Sequence, residues 1–328
     1  MKTSTRCLSL VAFVCLTLAA LLLPVESQAQ FPDRAITMYC AFAPGGSMDL
    51  ATRAISGAAE KILGKPVMVE NKGGGGGTVA LALLANAKPD GYTLCGVPNT
   101  GIIRAPQFQK VTYKPLKSFT PLVAYAIPYN GIVTKTDAPW KTFKELVDYA
   151  KKNPNKIKYG TSGLGTGQHL AMEYLAMKLG IKWDHVPFPG GAQVVTALLG
   201  GHVQVISQTT EWKEQALAGK FRLLVVPTPQ RLKAFPQVPT LMEKGYDFAV
   251  RSNLAFMGPA GMPAEAVEKL DQALGEAMKS KVFLDVMDKF DMPPAYMGHK
   301  ELTQFVQKDH RETGELIKSL GIGLYKKQ

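Results

Sequence analysis

Short apolar segments alternate with segments of helical periodicity through most of the chain. Residues 35–43 form an apolar, β-rich segment, and small and apolar residues then recur at helical spacing from Met48 to Leu63. The alternation continues with a predicted strand at 66–70, a helix at 79–87 and a strand at 92–97. This β-α-β-α-β order predicts a parallel sheet with right-handed crossovers and helices on its faces.

A second α/β unit follows, and it opens with Thr142 and Glu145 at the spacing of a capping box. Its predicted strands and helices alternate, and they lie at 157–160, 168–179, 185–187, 192–199, 203–207, 211–218 and 222–227. Two longer apolar segments, 122–133 and 248–257, interrupt the alternation, and three helices are predicted after them at 263–279, 282–290 and 300–320.

Two α/β units joined by two long segments predict two lobes with a ligand cleft between them. We assign residues 30–126 plus 254–328 to lobe 1 and residues 127–253 to lobe 2, with crossing hinge strands between them. Ligands of such sheets bind outside the carboxyl ends of the strands. The loops that follow those strands are therefore the candidate site.

Two glycine-rich loops each connect a predicted strand to a predicted helix, Pro44–Ser47 in one lobe and Ser162–Thr166 in the other. The free N–H groups and the positive dipole end at a helix N-terminus favour an anion. The hydroxyls of Ser47, Ser162 and Thr166 add donors. Facing each other across a cleft, the two loops could hold both ends of a dicarboxylate, or one carboxylate from two sides.

The sequence offers little for catalysis. Gly163-x-Gly165-x-Gly167 differs from the dinucleotide fingerprint, no phosphate loop is present, and Leu164 replaces the second glycine of a nucleophile elbow. No His, Cys, Asp or Glu cluster has metal-binding spacing. We expect neither an enzyme nor a cofactor. One alternative stays open, an exported hydrolase that uses Ser47 or Ser162 with His169 or His185.

The first 29 residues have the features of a secretory signal peptide. Lys2 and Arg6 precede an apolar run over 8–23, and Ser27-Gln28-Ala29 offers a cleavage site near Ala29. We therefore expect export to the periplasm. The net charge of +12 comes from scattered lysines and arginines, so we expect a basic surface that attracts small anions and no nucleic-acid partner.

Two cysteines, Cys40 and Cys95, remain after such a leader is removed. Each lies near the end of a predicted strand. If the two strands are neighbours, a disulfide is geometrically possible in an oxidising compartment. Two buried free thiols are the alternative.

Several segments in order resemble the Bug family, the periplasmic solute-binding receptors of tripartite tricarboxylate transporters. The resemblance covers essentially the whole chain after the leader. The segments are PGGSMD (44–49), GKPVMVENKGGGGGTVA (64–80), KPDGYTL (88–94), TSGLGTGQHLAMEYL (161–175), HVPFPGGAQVVTALLGGHVQV (185–205), AGKFRLLVV (218–226) and FPQVPTLMEKGY (235–246).

The resemblance implies a type II periplasmic-binding-protein fold that closes on a small organic carboxylate, aromatic and tricarboxylic acids included. It also implies a monomer whose partners are the membrane subunits of the transporter. A ligand-loaded sensor for a signalling system is the alternative. The family's carboxylate-binding loops match this chain at Gly45, Gly46, Ser47, Asp49, Ser162, Gly163, Gly165, Thr166 and His169.

The chain departs from the family pattern at three places. Ser207-Gln208-Thr209 stands where the family often has Phe-Asp-Asn, so we expect Gln208 in the site, no acidic group there, and less preference for an amino acid. Arg104 and Arg251 are unusual at their positions, and each could bind a second carboxylate or be exposed. Phe42 could pack against an apolar ligand or in the core.

Overall fold

The structure is a computed structural model that describes residues 31–250 and 252–326. The predicted leader, residues 1–29, and Arg251 lie outside the described residues. No helix in the described ranges is long and apolar enough to cross a membrane.

The described residues contain eleven strands. They are β1 (Ile36–Cys40), β2 (Val67–Asn71), β3 (Thr93–Pro98), β4 (Phe119–Ala126), β5 (Asn130–Lys135), β6 (Lys158–Thr161), β7 (Asp184–Pro187), β8 (Val205–Thr209), β9 (Phe221–Val225), β10 (Leu254–Pro259) and β11 (Pro294–Met297).

Eleven α-helices lie between or after these strands in the same ranges. They are α1 (Ser47–Leu63), α2 (Thr78–Leu84), α3 (Thr100–Ile103), α4 (Ala105–Phe108), α5 (Phe143–Lys152), α6 (Gly167–Leu179), α7 (Gly191–Leu199), α8 (Lys213–Leu217), α9 (Ala264–Ala277), α10 (Lys281–Lys289) and α11 (His299–Ser319). Short 3₁₀ turns cover Gly75–Gly77, Thr210–Trp212, Met242–Lys244 and Gly323–Tyr325.

The strands form two mixed sheets. The first has the order β11-β4-β10-β3-β1-β2, with β1 parallel to β2 and β3 and with β10 antiparallel to β3 and β4. The second has the order β7-β6-β8-β5-β9, with β6 parallel to β7 and β8 and with β5 antiparallel to β8 and β9. Each sheet with its helices forms a lobe, so the predicted two-lobe α/β architecture is confirmed.

The predicted lobe boundaries stay a prediction, which the strand order supports. β4, the last strand of the first sheet before the crossing, ends at Ala126, and β10 returns the chain to that sheet at Leu254. The second sheet lies entirely between these residues. The apolar segment 122–133 is therefore the end of one strand and the start of another.

The helix signals of the sequence correspond to real caps. α1 and α6 end at Gly64 and Gly180, both in the left-handed conformation that glycine adopts without strain. Thr142 caps α5, because its hydroxyl accepts a hydrogen bond from the Glu145 N–H at 3.2 Å. The Glu145 carboxylate accepts from the Lys141 N–H at 2.7 Å, one residue before the position of the standard box.

The two cysteines are buried free thiols. Cys40 pairs with Gly96 in the β1–β3 register, and Cys95 pairs with Tyr39. Side chains of successive residues point to opposite faces of a sheet, so the two thiols face away from each other. The strands are neighbours, as a disulfide would need, but the register excludes it.

The apolar core of the second lobe extends into residues that we assigned to lobe 1. Phe108 of α4, Ile317 of α11 and Ile322 belong to the same buried cluster as Leu170 and Tyr174 of α6. The C-terminal end of α11 therefore packs against both lobes. Secondary-structure periodicity does not report such contacts between distant segments.

Candidate functional site

A small cleft lies between the two lobes. Strands β3, β6 and β8 end at it. It is lined by Phe42, Gly46, Ser47, Met48, Pro98, Thr100, Pro128, Asn130, Ser162, Thr166, Gly167, Gln168, Gly191, Gln208, Thr209, Glu211, Ser252 and Leu254.

Three helices begin at this cleft. α1 and α7 begin after Gly46 and Gly190, both extended and without a side-chain cap. α6 begins after Thr166, whose hydroxyl accepts from the His169 N–H at 3.4 Å. The first N–H groups of a helix have no partner within it, and the helix dipole adds positive potential there. The cleft is therefore suited to anions.

The same tripeptide lies at the starts of α1 and α7, although the two turns differ, because α1 begins after its second glycine and α7 begins at its second glycine. Pro44-Gly45-Gly46 and Pro189-Gly190-Gly191 have the same sequence, and the Ala43 N–H donates to the carbonyl oxygen of Pro189 at 3.0 Å. This hydrogen bond joins the two lobes. The repeated Pro-Gly-Gly was a signal that could have identified the third helix terminus from the sequence.

Asp49 supports the first loop and is not among the residues that line the cleft. Its buried carboxylate accepts from the Gly45 N–H at 3.0 Å, from Arg53 Nε at 3.0 Å and from Asn71 Nδ2 at 2.7 Å. Gly45 has φ +89°, a conformation that favours glycine. Both residues hold Gly46 and Ser47 in position at the cleft.

The glycines of the second loop permit a close approach between the lobes. A Cβ on Gly163 would stand 2.6 Å from the backbone nitrogen of Gly76, and a Cβ on Gly165 would stand 2.5 Å from Cα of Ala105. Neither glycine is among the cleft-lining residues. Their absent side chains instead let the loop pack on the first lobe.

His169 lies behind the same loop. Its Nδ1 accepts from the Gly165 N–H at 3.3 Å, and its ring centroid lies 4.8 Å from Phe108 and 4.3 Å from His185. Burial and the nearby His185 hold the pKa of His169 well below its usual value, and burial lowers the pKa of His185 to about 4. Both histidines are neutral near pH 7.

The hydrolase alternative needs one of these histidines beside a serine hydroxyl. Within the described residues, no hydrogen bond joins His169 or His185 to Ser47 or Ser162. His185 Nε2 instead pairs with Thr161 Oγ1 at 2.7 Å. The geometry gives the hydrolase alternative no support.

Glu211 brings an acidic group into the cleft, so the expectation that none is present is wrong. It follows β8 in a 3₁₀ turn, two residues beyond the positions compared with the family pattern. Its Oε1 accepts from the N–H and the hydroxyl of Ser47 at 3.0 and 2.7 Å. These bonds join the second lobe to the N-terminus of α1. No pattern around Glu211 in the sequence indicated this contact.

Arg104 is neither exposed nor among the residues that line the cleft. Its side chain is buried, and Nη1 donates to the hydroxyl of Ser252 at 2.9 Å. Ser252 in turn lines the cleft. Burial lowers the pKa of Arg104. The guanidinium therefore reaches the site through Ser252.

This cleft, with helix N-termini from both lobes, is matched in known proteins. Residues 51–322 match the tripartite tricarboxylate transporter family receptor. The chain belongs to this family. It is 38% identical over 312 residues to the UPF0065 protein in the gbd 5′ region of Cupriavidus necator. The matched residues make up 95% of this chain and 94% of that relative. The predicted resemblance to the Bug family is confirmed.

Solved structures agree with this receptor in fold. The periplasmic binding protein BugD matches with a TM-score of 0.84 and 30% identity, covering 89% of this chain and 99% of that one. MatC from Rhodopseudomonas palustris with bound malate matches with a TM-score of 0.81 and 27% identity, covering 88% and 100%. The predicted periplasmic-binding-protein fold is thus confirmed.

The receptor brings together about half of the residues predicted for its site. The cleft-lining ones are Phe42, Gly46, Ser47, Ser162, Thr166 and Gln208. Gly45, Asp49, Gly163, Gly165 and His169 lie behind them, as described above. The sequence analysis did not select Thr100, Asn130, Gly191 or Glu211, which also line the cleft. Whether any of them binds ligand stays a prediction.

A metal site is not evident in the receptor. Among residues 31–250 and 252–326, no three His, Cys, Asp or Glu side chains are grouped to hold a metal ion. Of the described residues that line the cleft, none is Lys, Arg or His. Backbone N–H groups, hydroxyls and amides are therefore the donors that this cleft offers.

Proposed function

We propose that this protein is a periplasmic receptor that captures a small organic carboxylate between its two lobes. It then delivers the carboxylate to the membrane subunits of a tripartite tricarboxylate transporter. The observation that supports this proposal most directly is the meeting of three helix N-termini, those of α1, α6 and α7, at one cleft. The malate bound to MatC, a structure of the same fold, is consistent with it.

The proposal assigns the ligand's carboxylate to the start of α6. The hydroxyl of Ser162 lies there, with the N–H groups of Gly167 and Gln168, the first two of the helix. The Thr166 hydroxyl lies beside them but donates to the Gly163 carbonyl at 2.8 Å, so it caps the helix. Hydrogen bonds to a charged group contribute about 1.5–3 kcal/mol each. Phe42 and Leu254 offer apolar surface to the rest of the ligand. No bond is made or broken.

The proposal also includes the cellular context. Residues 1–29 are removed on export, the mature receptor is a monomer in the periplasm, and no cofactor takes part. Closure of the lobes on the ligand creates the surface that the membrane subunits recognise. A receptor of this kind needs binding and release only.

The test begins with protein purified without residues 1–29. The protein is unfolded to release bound ligand, the released small molecules are identified by mass spectrometry, and the refolded protein is screened by thermal shift against carboxylic acids. A ligand at a hundred times its Kd adds about 2.7 kcal/mol, which raises the Tm by a few degrees in a chain of this size.

We expect a co-purifying acid and a thermal shift with acids of one chemical class. The amides and methyl esters of those acids serve as matched uncharged controls. Equal shifts with the acid and its amide, or no bound acid and no shift at all, would contradict the proposed function.

A further inference from the structure

The carboxylate of Glu211 is held in the cleft as a bound carboxylate would be. Oε1 accepts from the N–H and the hydroxyl of Ser47 at 3.0 and 2.7 Å. Oε2 accepts from Gln208 Nε2 at 3.1 Å and from Thr209 Oγ1 at 2.6 Å. An ionised carboxylate has about four acceptor positions. All of them are filled, by donors from both lobes.

This carboxylate also lies at two helix N-termini. It contacts the start of α1 through Ser47, and a Cβ on Gly191 at the start of α7 would stand 2.5 Å from Oε1. A side chain there would displace the carboxylate, and glycine leaves room for it. Glu211 thus lies where these two termini favour an anion.

Two buried side-chain oxygens in the remainder of the cleft accept no hydrogen bond. Asn130 and Gln208 are each 1% exposed, and both line the cleft. Among the described residues, Asn130 Oδ1 and Gln208 Oε1 have no hydrogen-bond partner. A buried acceptor without a partner destabilises the protein. A ligand with donor groups would remove that destabilisation.

The charge in the cleft also favours a ligand that carries donor groups. Among the described residues that line the cleft, Glu211 is the one that carries a charge. A second carboxylate on the ligand would meet this negative charge at short range, and such like-charge contacts are unfavourable. A hydroxyl or ammonium group would meet neutral acceptors and a favourable potential.

We propose that Glu211 is a built-in carboxylate that fills one of the two anion-binding ends of the cleft. The ligand is therefore a monocarboxylate, bound at the α6 end, that carries hydroxyl or ammonium donors for Asn130 and Gln208. This inference rests on the proposed function and narrows its ligand class.

The test compares acids of equal length that differ in one terminal group. The four-carbon set is butanoate, 4-hydroxybutanoate, 4-aminobutanoate and succinate, and the six-carbon set has hexanoate, 6-hydroxyhexanoate, 6-aminohexanoate and adipate. Binding is measured by calorimetry on stripped, refolded protein. In at least one set, the donor-bearing acid should bind at least about tenfold more tightly than the dicarboxylate. In each set, comparing the hydroxy acid with the amino acid shows whether the site prefers a hydroxyl or an ammonium donor.

The variant Glu211→Ala tests the cause of this selectivity. Removing the carboxylate frees the Ser47 N–H and hydroxyl for a second ligand carboxylate, so the variant should gain at least about tenfold in dicarboxylate affinity relative to the donor-bearing acid. Glu214→Ala, three residues further along and exposed, is the matched control and should leave the ratio unchanged.

Each outcome has a distinct meaning. Wild-type protein that binds the dicarboxylates as tightly as the donor-bearing acids would overturn the role of Glu211, while the carboxylate receptor itself would stand. This comparison holds even if Glu211→Ala does not fold. Binding of none of the eight acids, together with no co-purifying acid and no shift in the wider screen, would overturn the proposed receptor and this inference together.

Discussion

Gly165 of the second lobe approaches Ala105 of the first so closely that neither backbone leaves space for a side chain between them. A Cβ on Gly165 would stand 2.5 Å from Cα and 3.0 Å from the nitrogen of Ala105. Real Cβ atoms do not come this near to backbone atoms. The second glycine loop and helix α4 are therefore in van der Waals contact through a position that only glycine can occupy.

This contact leads to a first prediction. Gly165→Ala should weaken ligand binding by about tenfold or more, because the loop can no longer rest on α4 when the lobes close. It also places alanine at φ +74°, a strain of about 1–2 kcal/mol. Calorimetric titration and the Tm separate the two effects.

Gly180→Ala provides the control for that strain. Gly180 ends α6 at φ +64° and has no atom within 4 Å of a Cβ. The Gly180→Ala variant should lose a similar amount of stability through the backbone strain and keep its affinity for the ligand. Equal affinity in both variants would mean that the approach of Gly165 to Ala105 is not needed for binding.

The hydroxyl of Ser162 gives a second prediction. Ser162 lines the cleft at the end of β6. Ser162→Ala should weaken carboxylate binding by about 10- to 100-fold, the loss of one hydrogen bond to a charged group. The Tm without ligand should change little. The control is Ser319→Ala, in an exposed position at the end of α11, which should leave the Kd unchanged. An unchanged Kd in Ser162→Ala would mean that the Ser162 hydroxyl does not bind the ligand.

The buried histidines predict how stability depends on pH. The folded pKa of His185 is about 4, and that of His169 is also lowered. Below pH 6.5 the unfolded chain binds protons on them and the folded protein does not. The free energy of unfolding therefore falls as the pH drops from 6.5 toward 4, by about 1.4 kcal/mol per unit for each histidine.

Thermal melts between pH 4.5 and 7.5 measure this dependence. His169 and His185 together cause part of the decline in Tm, and His185→Gln should remove about half of that part. His202→Gln, at an exposed position, should leave the decline unchanged. A Tm that stays constant from pH 7 to pH 5 in the parent protein would be incompatible with neutral buried histidines.

The thiols give a fourth prediction. Burial raises the pKa of Cys40 to about 11 and raises that of Cys95 well above its usual value. In protein that begins at Gln30, a thiol reagent should therefore label neither cysteine in the native state and both after unfolding. Reductant should not change the Tm. A native protein without titratable thiols after unfolding would indicate a disulfide and a different β1–β3 register.

The sequence predicted the helices of the fold well where a local signal marks their ends. Gly64 and Gly180 end α1 and α6 as expected, and Thr142 caps α5. Helices α3 and α4 were missed because each spans only one turn, and α4 contains Pro106. Strand β11 was missed because it is a short edge strand whose pairing partner, β4, lies far away in the chain.

The site was predictable to the extent that it depends on backbone. Helix N-termini after glycine turns are local features, so Gly46, Ser47, Ser162 and Thr166 were found. Glu211 acts through contacts with Ser47, 164 residues away in the chain, and no local pattern records such a contact. His169 was placed in the site because it matches the family's carboxylate-binding loop, but its ring lies behind the loop.

The shortest connection between the lobes restricts how they can move. Three residues separate Ala126 at the end of β4 from Asn130 at the start of β5, and three residues span at most about 10 Å. Pro128 at their centre has a fixed φ. The lobes cannot translate apart at this point, although the longer connection between β9 and β10 would allow it. The motion that remains is rotation of one lobe against the other about this short connection. Its amplitude grows with distance from Pro128, so we expect the ligand of the proposed receptor to enter from the edge of the cleft that lies farthest from this proline.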